Sequence, residues 1–195
     1  MRIIAGQAKG RLLKTPKGKG IRPALDKVKG AVFNILQHGI GLEGSSVLDL
    51  YAGTGNIGIE ALSRGAAQAT FVDDSKEAID LIGENLKRTG FEGKGDVVVL
   101  RLPWGLKRWK GKRDYDLIFV DPPYDKELVM PTLELLAREK ILAPSGRIVV
   151  EHSPREKITV GAGFPRPGVE TTPLQIIDQR KYGQTIITFL TYVQE

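Results

Sequence analysis

Residues 49–58 read Asp49-Leu50-Tyr51-Ala52-Gly53-Thr54-Gly55-Asn56-Ile57-Gly58, directly after the apolar pair Val47-Leu48. Gly53, Gly55 and Gly58 have the G-x-G-x-x-G spacing, and they lie between a strand-like run and a helical pattern, as that spacing requires. Glycines at these positions let the backbone turn tightly and let a ligand come close. A second short apolar run, residues 69–72, ends at Asp73, 24 positions after Asp49. An acid at that place can accept hydrogen bonds from ribose hydroxyls. Strand, glycine loop, helix and second strand in this order call for a parallel sheet.

The alternation continues along the chain. From Ala24 the apolar positions Leu25, Val28, Val32, Ile35 and Leu36 follow helical spacing, and Gly39 closes that helix. Residues 57–63 are helical and stop at Gly65. Ser75 caps a helix with the apolar stripe Ala78, Ile79, Ile82 and Leu86, which ends before Gly90. Residues 97–100, 117–120 and 148–150 have the character of a third, fourth and fifth strand. Pro131 suits the first turn of a helix that turns Leu133, Leu136 and Ala137 inward. The class is therefore α/β, a Rossmann-like, mostly parallel sheet with helices on both faces. The last third changes character. Residues 161–173 are rich in Gly and Pro, and the runs 174–177 and 185–190 flank Tyr182-Gly183 as an antiparallel hairpin. At the other end, Arg2-Ile3-Ile4 and Arg11-Leu12-Leu13 flank a glycine-containing turn and predict a small basic hairpin, followed by a Pro/Gly/Lys loop over 15–20. The expected organisation is an N-terminal arm, residues 1–22, and one domain, residues 23–195.

Charge is distributed unevenly. The net charge is +6, but residues 1–22 carry +7 and no acid. The stretch 101–113 is also free of acids, with six Lys and Arg residues and both tryptophans, Trp104 and Trp109. Without the two stretches the remainder is close to −7. Concentrated Lys and Arg on a mildly acidic globule is the footprint of a phosphate-backbone partner. No apolar run approaches the ~20 residues that cross a membrane, and no apolar stretch follows the basic start as in a secretory signal. There are no cysteines, and His38 and His152 are the two histidines, which argues against a disulfide framework and a zinc site. A cytoplasmic protein fits these features.

Two acids bear on the chemistry. Asp49 stands four residues before the first glycine, where the pyrophosphate of a dinucleotide approaches its fold. A carboxylate there repels pyrophosphate and welcomes a cation. S-adenosylmethionine carries a sulfonium and an ammonium and no phosphate. The second acid opens Asp121-Pro122-Pro123-Tyr124, at the end of the apolar run Leu117-Ile118-Phe119-Val120. Asp121 offers an acceptor-only group, Pro122 keeps a carbonyl while giving up its N–H, the prolines stiffen the turn, and Tyr124 supplies a flat face for a base. Such a turn can hold an exocyclic amino group by both its hydrogens.

Asp-Pro-Pro-Tyr together with Asp-Leu-Tyr-Ala-Gly-Thr-Gly resembles the class I S-adenosylmethionine-dependent amino-methyltransferases. Arg22-Pro23-Ala24 through Phe33-Asn34-Ile35-Leu36 resembles, more specifically, the RsmD-type bacterial 16S rRNA guanine-N2 methyltransferases. The same holds for Glu60-Ala61-Leu62-Ser63-Arg64-Gly65-Ala66, for Val150-Glu151-His152 and for Lys181-Tyr182-Gly183-Gln184-Thr185. The resemblance implies a seven-stranded sheet with its last strand antiparallel. It implies that Asp49 and the loop Tyr51-Ala52-Gly53-Thr54-Gly55 hold the methionine end of the cofactor. Asp73, with Asp74, would hold its ribose, and Arg101 and Leu102 would lie near its adenine. Asp121 and the Pro122 carbonyl would accept the guanine amino hydrogens beside Pro123, and Tyr124 would stack on the base. Arg2, Lys9, Arg11, Lys14 and Arg22 would meet RNA, either 16S rRNA or a small-subunit assembly intermediate. No segment identifies an oligomeric interface, so a monomer is the default expectation, without metal or membrane attachment. One departure stands out: relatives place an acid just after the third strand, and here the segment reads Leu100-Arg101-Leu102-Pro103-Trp104. Apolar packing by Leu102 or stacking by Trp104 is left in its place.

Rival readings keep the fold and change the chemistry. The amine-holding turn serves adenine N6 on DNA or RNA equally well. A dinucleotide-dependent oxidoreductase would use the glycine spacing alone, and a non-catalytic RNA-binding assembly factor would use the basic segments alone.

Overall fold

Val47, Leu48, Leu50, Ala69, Phe71 and Val72 are fully buried, as short apolar strands covered on both faces should be. The computed structural model describes residues 1–16, 23–39, 41–109, 114–160 and 173–193. Arg22, most of the 15–20 loop and nearly all of the Gly/Pro-rich stretch 161–173 lie outside the described residues. In chain order the elements are α1 (Pro23–Gly39), β1 (Ser46–Leu50), α2 (Asn56–Ser63), β2 (Gln68–Asp73), α3 (Lys76–Thr89) and β3 (Gly95–Val99). They continue with β4 (Tyr115–Val120), α4 (Val129–Arg138), β5 (Leu142–His152), β6 (Leu174–Tyr182) and β7 (Thr185–Tyr192). The strands are ordered β3-β2-β1-β4-β5-β7-β6. The chain divides into two compact units, Met1–Val99 and Leu100–Glu195.

In the first unit β1 pairs parallel with β2, and β2 parallel with β3. The third strand lies two residues earlier than its apolar run predicts, because Gly95 pairs opposite Ala69. A Cβ on Gly95 would fall 2.6 Å from Leu86, so α3 rests on the bare backbone there. Ser75 caps α3, accepting from Ala78 N, and Gly90 ends it in the left-handed region. Its buried stripe includes Leu81, whereas Ile79 is half-buried.

In the second unit β4 pairs parallel with β5, and β7 pairs antiparallel with both β5 and β6. β5 begins six residues before its predicted start. Pro144 and Gly146 hide the beginning of the strand, and the pairing jumps from Tyr115↔Leu142 to Leu117↔Arg147. The terminal hairpin is present, but β6 extends to Tyr182 through polar residues. As the strand at the end of the sheet order, it carries no continuous apolar pattern to read. On α4, Leu133, Leu136 and Ala137 are fully buried as their spacing predicts.

The N-terminal hairpin pairs around the antiparallel bridge Arg2↔Leu12, with Ile3 N donating to the Arg11 carbonyl at 3.0 Å, Gly10 N to the Ile3 carbonyl at 2.8 Å and Leu13 N to the Met1 carbonyl at 3.1 Å. Other amides of the segment are satisfied by α2. Ile4 N and Ala5 N donate to the Glu60 carboxylate at 2.8 and 3.1 Å, and Ala8 N donates to Ser63 Oγ at 2.9 Å. Helix α2 and the pairing of the two arms together shape this segment.

Candidate active site

The glycine loop is built from hydrogen bonds that cross it. Asp49 leaves β1 buried and accepts from Gly58 N at 2.9 Å, in the first turn of α2. Its carboxylate thus occupies a donor at the helix N-terminus, the feature that elsewhere receives a phosphate. Burial pushes the Asp49 carboxyl up to about 7; the Gly58 bond opposes this and the Asp73 charge adds to it. Asp73 ends β2 and braces the loop from the other side, accepting from Gly53 N at 2.9 Å and from Ser75 N at 3.0 Å. Tyr51, Gly53 and Gly55 have φ of 61°, 56° and 73°, so the chain turns left-handed three times within five residues. At Gly58 a Cβ would meet the Phe71 ring at 2.3 Å, so this glycine admits close packing of α2 on β2. A buried carboxylate beside a backbone that a ligand can approach closely fits the cationic end of S-adenosylmethionine and opposes pyrophosphate.

The remaining loop residues are placed as follows. Ala52 is buried and its N–H donates to the Val72 carbonyl, while Thr54 is buried and its carbonyl accepts from Asn85 at 2.9 Å. Asp74 is exposed. Asn85 was not anticipated: wholly buried in α3, it also exchanges two bonds with the Lys14 backbone. It therefore fastens the N-terminal segment and the glycine loop to one helix.

That segment has a second anchor in Glu60, also unanticipated. Fully buried, it ion-pairs with Lys29 at 2.9 Å and with Arg64 at 2.8 Å while accepting the two N-terminal amides. Its signal was available, since an acid sat within an otherwise apolar helical face four residues before Arg64. Gly6 approaches α2 so closely that a Cβ would lie 1.7 Å from the Ser63 carbonyl oxygen. The expected RNA-contacting side chains project from this frame. Arg2 lies 3.6 Å from Asp26, Arg11 donates to the Arg88 carbonyl at 3.0 Å, Lys14 pairs with Glu84, and Lys9 is exposed.

In the second unit, Asp121-Pro122-Pro123-Tyr124 follows β4 directly, with Pro122 buried and Asp121 and Pro123 exposed. Tyr124 is 41% exposed, yet its hydroxyl is fixed: it donates to Glu151 at 2.7 Å and meets Thr185 Oγ1 at 2.9 Å. Burial raises the Tyr124 phenol above its ordinary value, and burial likewise raises Glu151. The ring is thus held by one edge with a face accessible. Glu151 and His152 divide in role. His152 is buried, with Nε2 2.8 Å from Thr188 Oγ1 and Nδ1 3.1 Å from the Ser153 carbonyl, so both its nitrogens serve the sheet. Thr185, at the start of β7, completes the seat of Tyr124. Arg101 is exposed, Leu102 is half-buried, and the Arg101 carbonyl accepts from Gly105 N at 2.8 Å.

The family model described as Conserved hypothetical protein 95 matches residues 1–191. The chain belongs to this family, which is RsmD-like. Among its relatives, YlbH of Bacillus subtilis is 40% identical over 156 residues, covering 78% of this chain and 82% of its own. Ribosomal RNA small subunit methyltransferase D of Escherichia coli is 37% identical over 151 residues, covering 77% of this chain and 74% of its own. The solved structure of Escherichia coli yhhF superposes with a TM-score of 0.80 at 30% identity, over 100% of this chain and 99% of that one. That superposition spans the whole chain, β7 included.

Proposed function

We propose that this protein transfers a methyl group from S-adenosylmethionine to the exocyclic N2 amino group of a guanine in 16S ribosomal RNA of the small subunit. The observation that carries this reading is the turn after β4, where Asp121 and Pro122 precede a tyrosine ring whose hydroxyl is fixed by Glu151 and Thr185. The names of the curated relatives support the choice of RNA.

When bound, S-adenosylmethionine supplies an electrophilic methyl on a sulfonium. Asp49 attracts the cationic methionine end, and Tyr51, Ala52, Gly53, Thr54 and Gly55 shape the backbone around it. Asp73, beside Asp74, accepts from the ribose hydroxyls, with Arg101 and Leu102 toward the adenine. The amine is a poor nucleophile because its lone pair is delocalised into the guanine ring. The Asp121 carboxylate and the Pro122 carbonyl draw on its two hydrogens and favour a pyramidal nitrogen. Pro123 stiffens the turn. Tyr124 stacks on a base that has left its helix, an interaction worth roughly 1–3 kcal/mol. Arg2, Lys9, Arg11, Lys14 and Arg22 meet phosphates. The reaction needs no metal and no covalent enzyme intermediate, and much of its rate comes from orientation. We place the enzyme in the cytoplasm as a monomer; no helix among the described residues is long and apolar enough to cross a membrane.

The test is incubation with labelled S-adenosylmethionine and small-subunit RNA or particles lacking the modification, followed by nucleoside mass spectrometry. N2-methylguanine is the expected product. N6-methyladenine would keep the turn's chemistry and overturn the substrate. Absence of any methylated nucleoside would overturn the reading.

A further inference from the structure

The two tryptophans of the acid-free stretch have opposite fates. Trp109 is half-buried, its ring centroid 6.2 Å from that of Tyr115. Trp104 is 57% exposed. Trp is among the residues that lose most by remaining in water, so an outward tryptophan needs a reason. The reason is not disorder of its turn. Pro103 and Leu106 are buried on either side, and the backbone is closed by Gly105 N to Arg101 O at 2.8 Å, Leu106 N to Pro103 O at 3.0 Å and Trp109 N to Leu106 O at 2.9 Å. Leu100 packs so near Gly105 that a Cβ there would lie 2.4 Å from it. The inward positions are taken by smaller residues, and the turn presents the indole to solvent.

The charged residues flanking that indole in the sequence, from 101 to 108, are all positive. Arg101, Lys107 and Arg108 are exposed, and the Lys107 ammonium lies 5.6 Å from the Trp104 ring centroid, within cation–π range. We infer that the Trp104 turn is a second stacking platform, which takes an unpaired nucleotide of single-stranded RNA with its phosphates on Lys107 and Arg108. A flat aromatic face beside cations on a backbone track is how single strands are held irrespective of sequence. Charge decides against the other aromatic candidate, the adenine of the cofactor. S-adenosylmethionine carries a sulfonium and an ammonium and no phosphate, so a cluster of cations disfavours it and favours a polyanion. The inference rests on the proposed RNA substrate and adds a contact distinct from both the target-base tyrosine and the N-terminal segment.

The test uses the full chain carrying Trp109→Phe, so that Trp104 is the sole indole, titrated with a short mixed-sequence single-stranded RNA oligonucleotide. Quenching of Trp104 fluorescence is expected. Trp104→Ala should weaken binding of the same RNA roughly 5- to 150-fold, Trp104→Phe should recover most of it, and Lys107→Ala should lower the salt slope by about one. Calorimetry with S-adenosylmethionine alone should be unchanged in all three. No quenching, an unaltered RNA affinity in Trp104→Ala, or a loss of S-adenosylmethionine binding in that variant would overturn the platform. The proposed methylation is read separately by nucleoside mass spectrometry: quenching by RNA without any methylated guanine would leave the platform standing and overturn the substrate.

Discussion

Asp49 is an acid placed where its charge is costly. Its carboxyl titrates at about 7 in the fold against 3.8 ordinarily. Between those values the unfolded chain binds fewer protons than the native one, so stability falls as pH rises from about 4 to about 7 and then levels. Asp49→Asn should flatten that part of the curve in urea titrations. A cationic ligand favours the ionised form, so S-adenosylmethionine should bind more tightly as pH rises toward 7 and should release a proton on binding near pH 6. Calorimetry in buffers of different ionisation heat checks the proton count. At the turn after β4, Asp121→Ala should abolish methylation while leaving cofactor affinity unchanged if Asp121 holds the amine as proposed. Glu151→Ala removes one of the two partners of the Tyr124 hydroxyl, leaving Thr185, and should raise KM for RNA about fivefold, the worth of one hydrogen bond. Glu151→Gln, which can still accept from that hydroxyl, should restore it. The sequence showed the residue types for this turn plainly. It did not show that Glu151 and Thr185 hold the ring, because they come from strands far along the chain.

Among the elements, α2 has more partners than its eight residues suggest. Its glycine end receives Asp49, its face seats Phe71 against Gly58, and its far end binds the N-terminal backbone through Glu60 and Ser63. Glu60→Ala takes the counter-charge from buried Lys29, which keeps only the neutral acceptors Arg2 O and Asn56 Oδ1, and from Arg64, and removes the acceptor of two amides. The expected loss is about 3–5 kcal/mol in urea unfolding, with faster hydrogen exchange at Ile4 and Ala5. Gly58→Ala forces a methyl against Phe71 and should cost about 1–3 kcal/mol. Helices were the most legible elements, since periodicity and caps are local. Strand ends were less so. β3 is displaced by the contact of Gly95 with Leu86, and β5 reaches back past Pro144 to Leu142, which pairs with Tyr115 of β4. The basic hairpin pairs as its pattern predicts, but its further bonds to α2 were not legible, because Glu60 and Ser63 lie far along the chain.

For the molecule as a whole, two acid-free segments stand against a remainder near −7. RNA affinity should fall steeply with added salt, while S-adenosylmethionine affinity should change little, which paired titrations at two ionic strengths would show. By itself the sequence determined the α/β class, the glycine loop, the Asp-Pro-Pro-Tyr turn after β4 and the uneven charge, because each is written in local spacing or composition. Only the tertiary structure decided which of two tryptophans faces water, which strand-end residue supports Tyr124, and what Asp49 feels. Those depend on burial and on partners distant in the chain, and neither periodicity nor a motif records which distant atom will close a hydrogen bond.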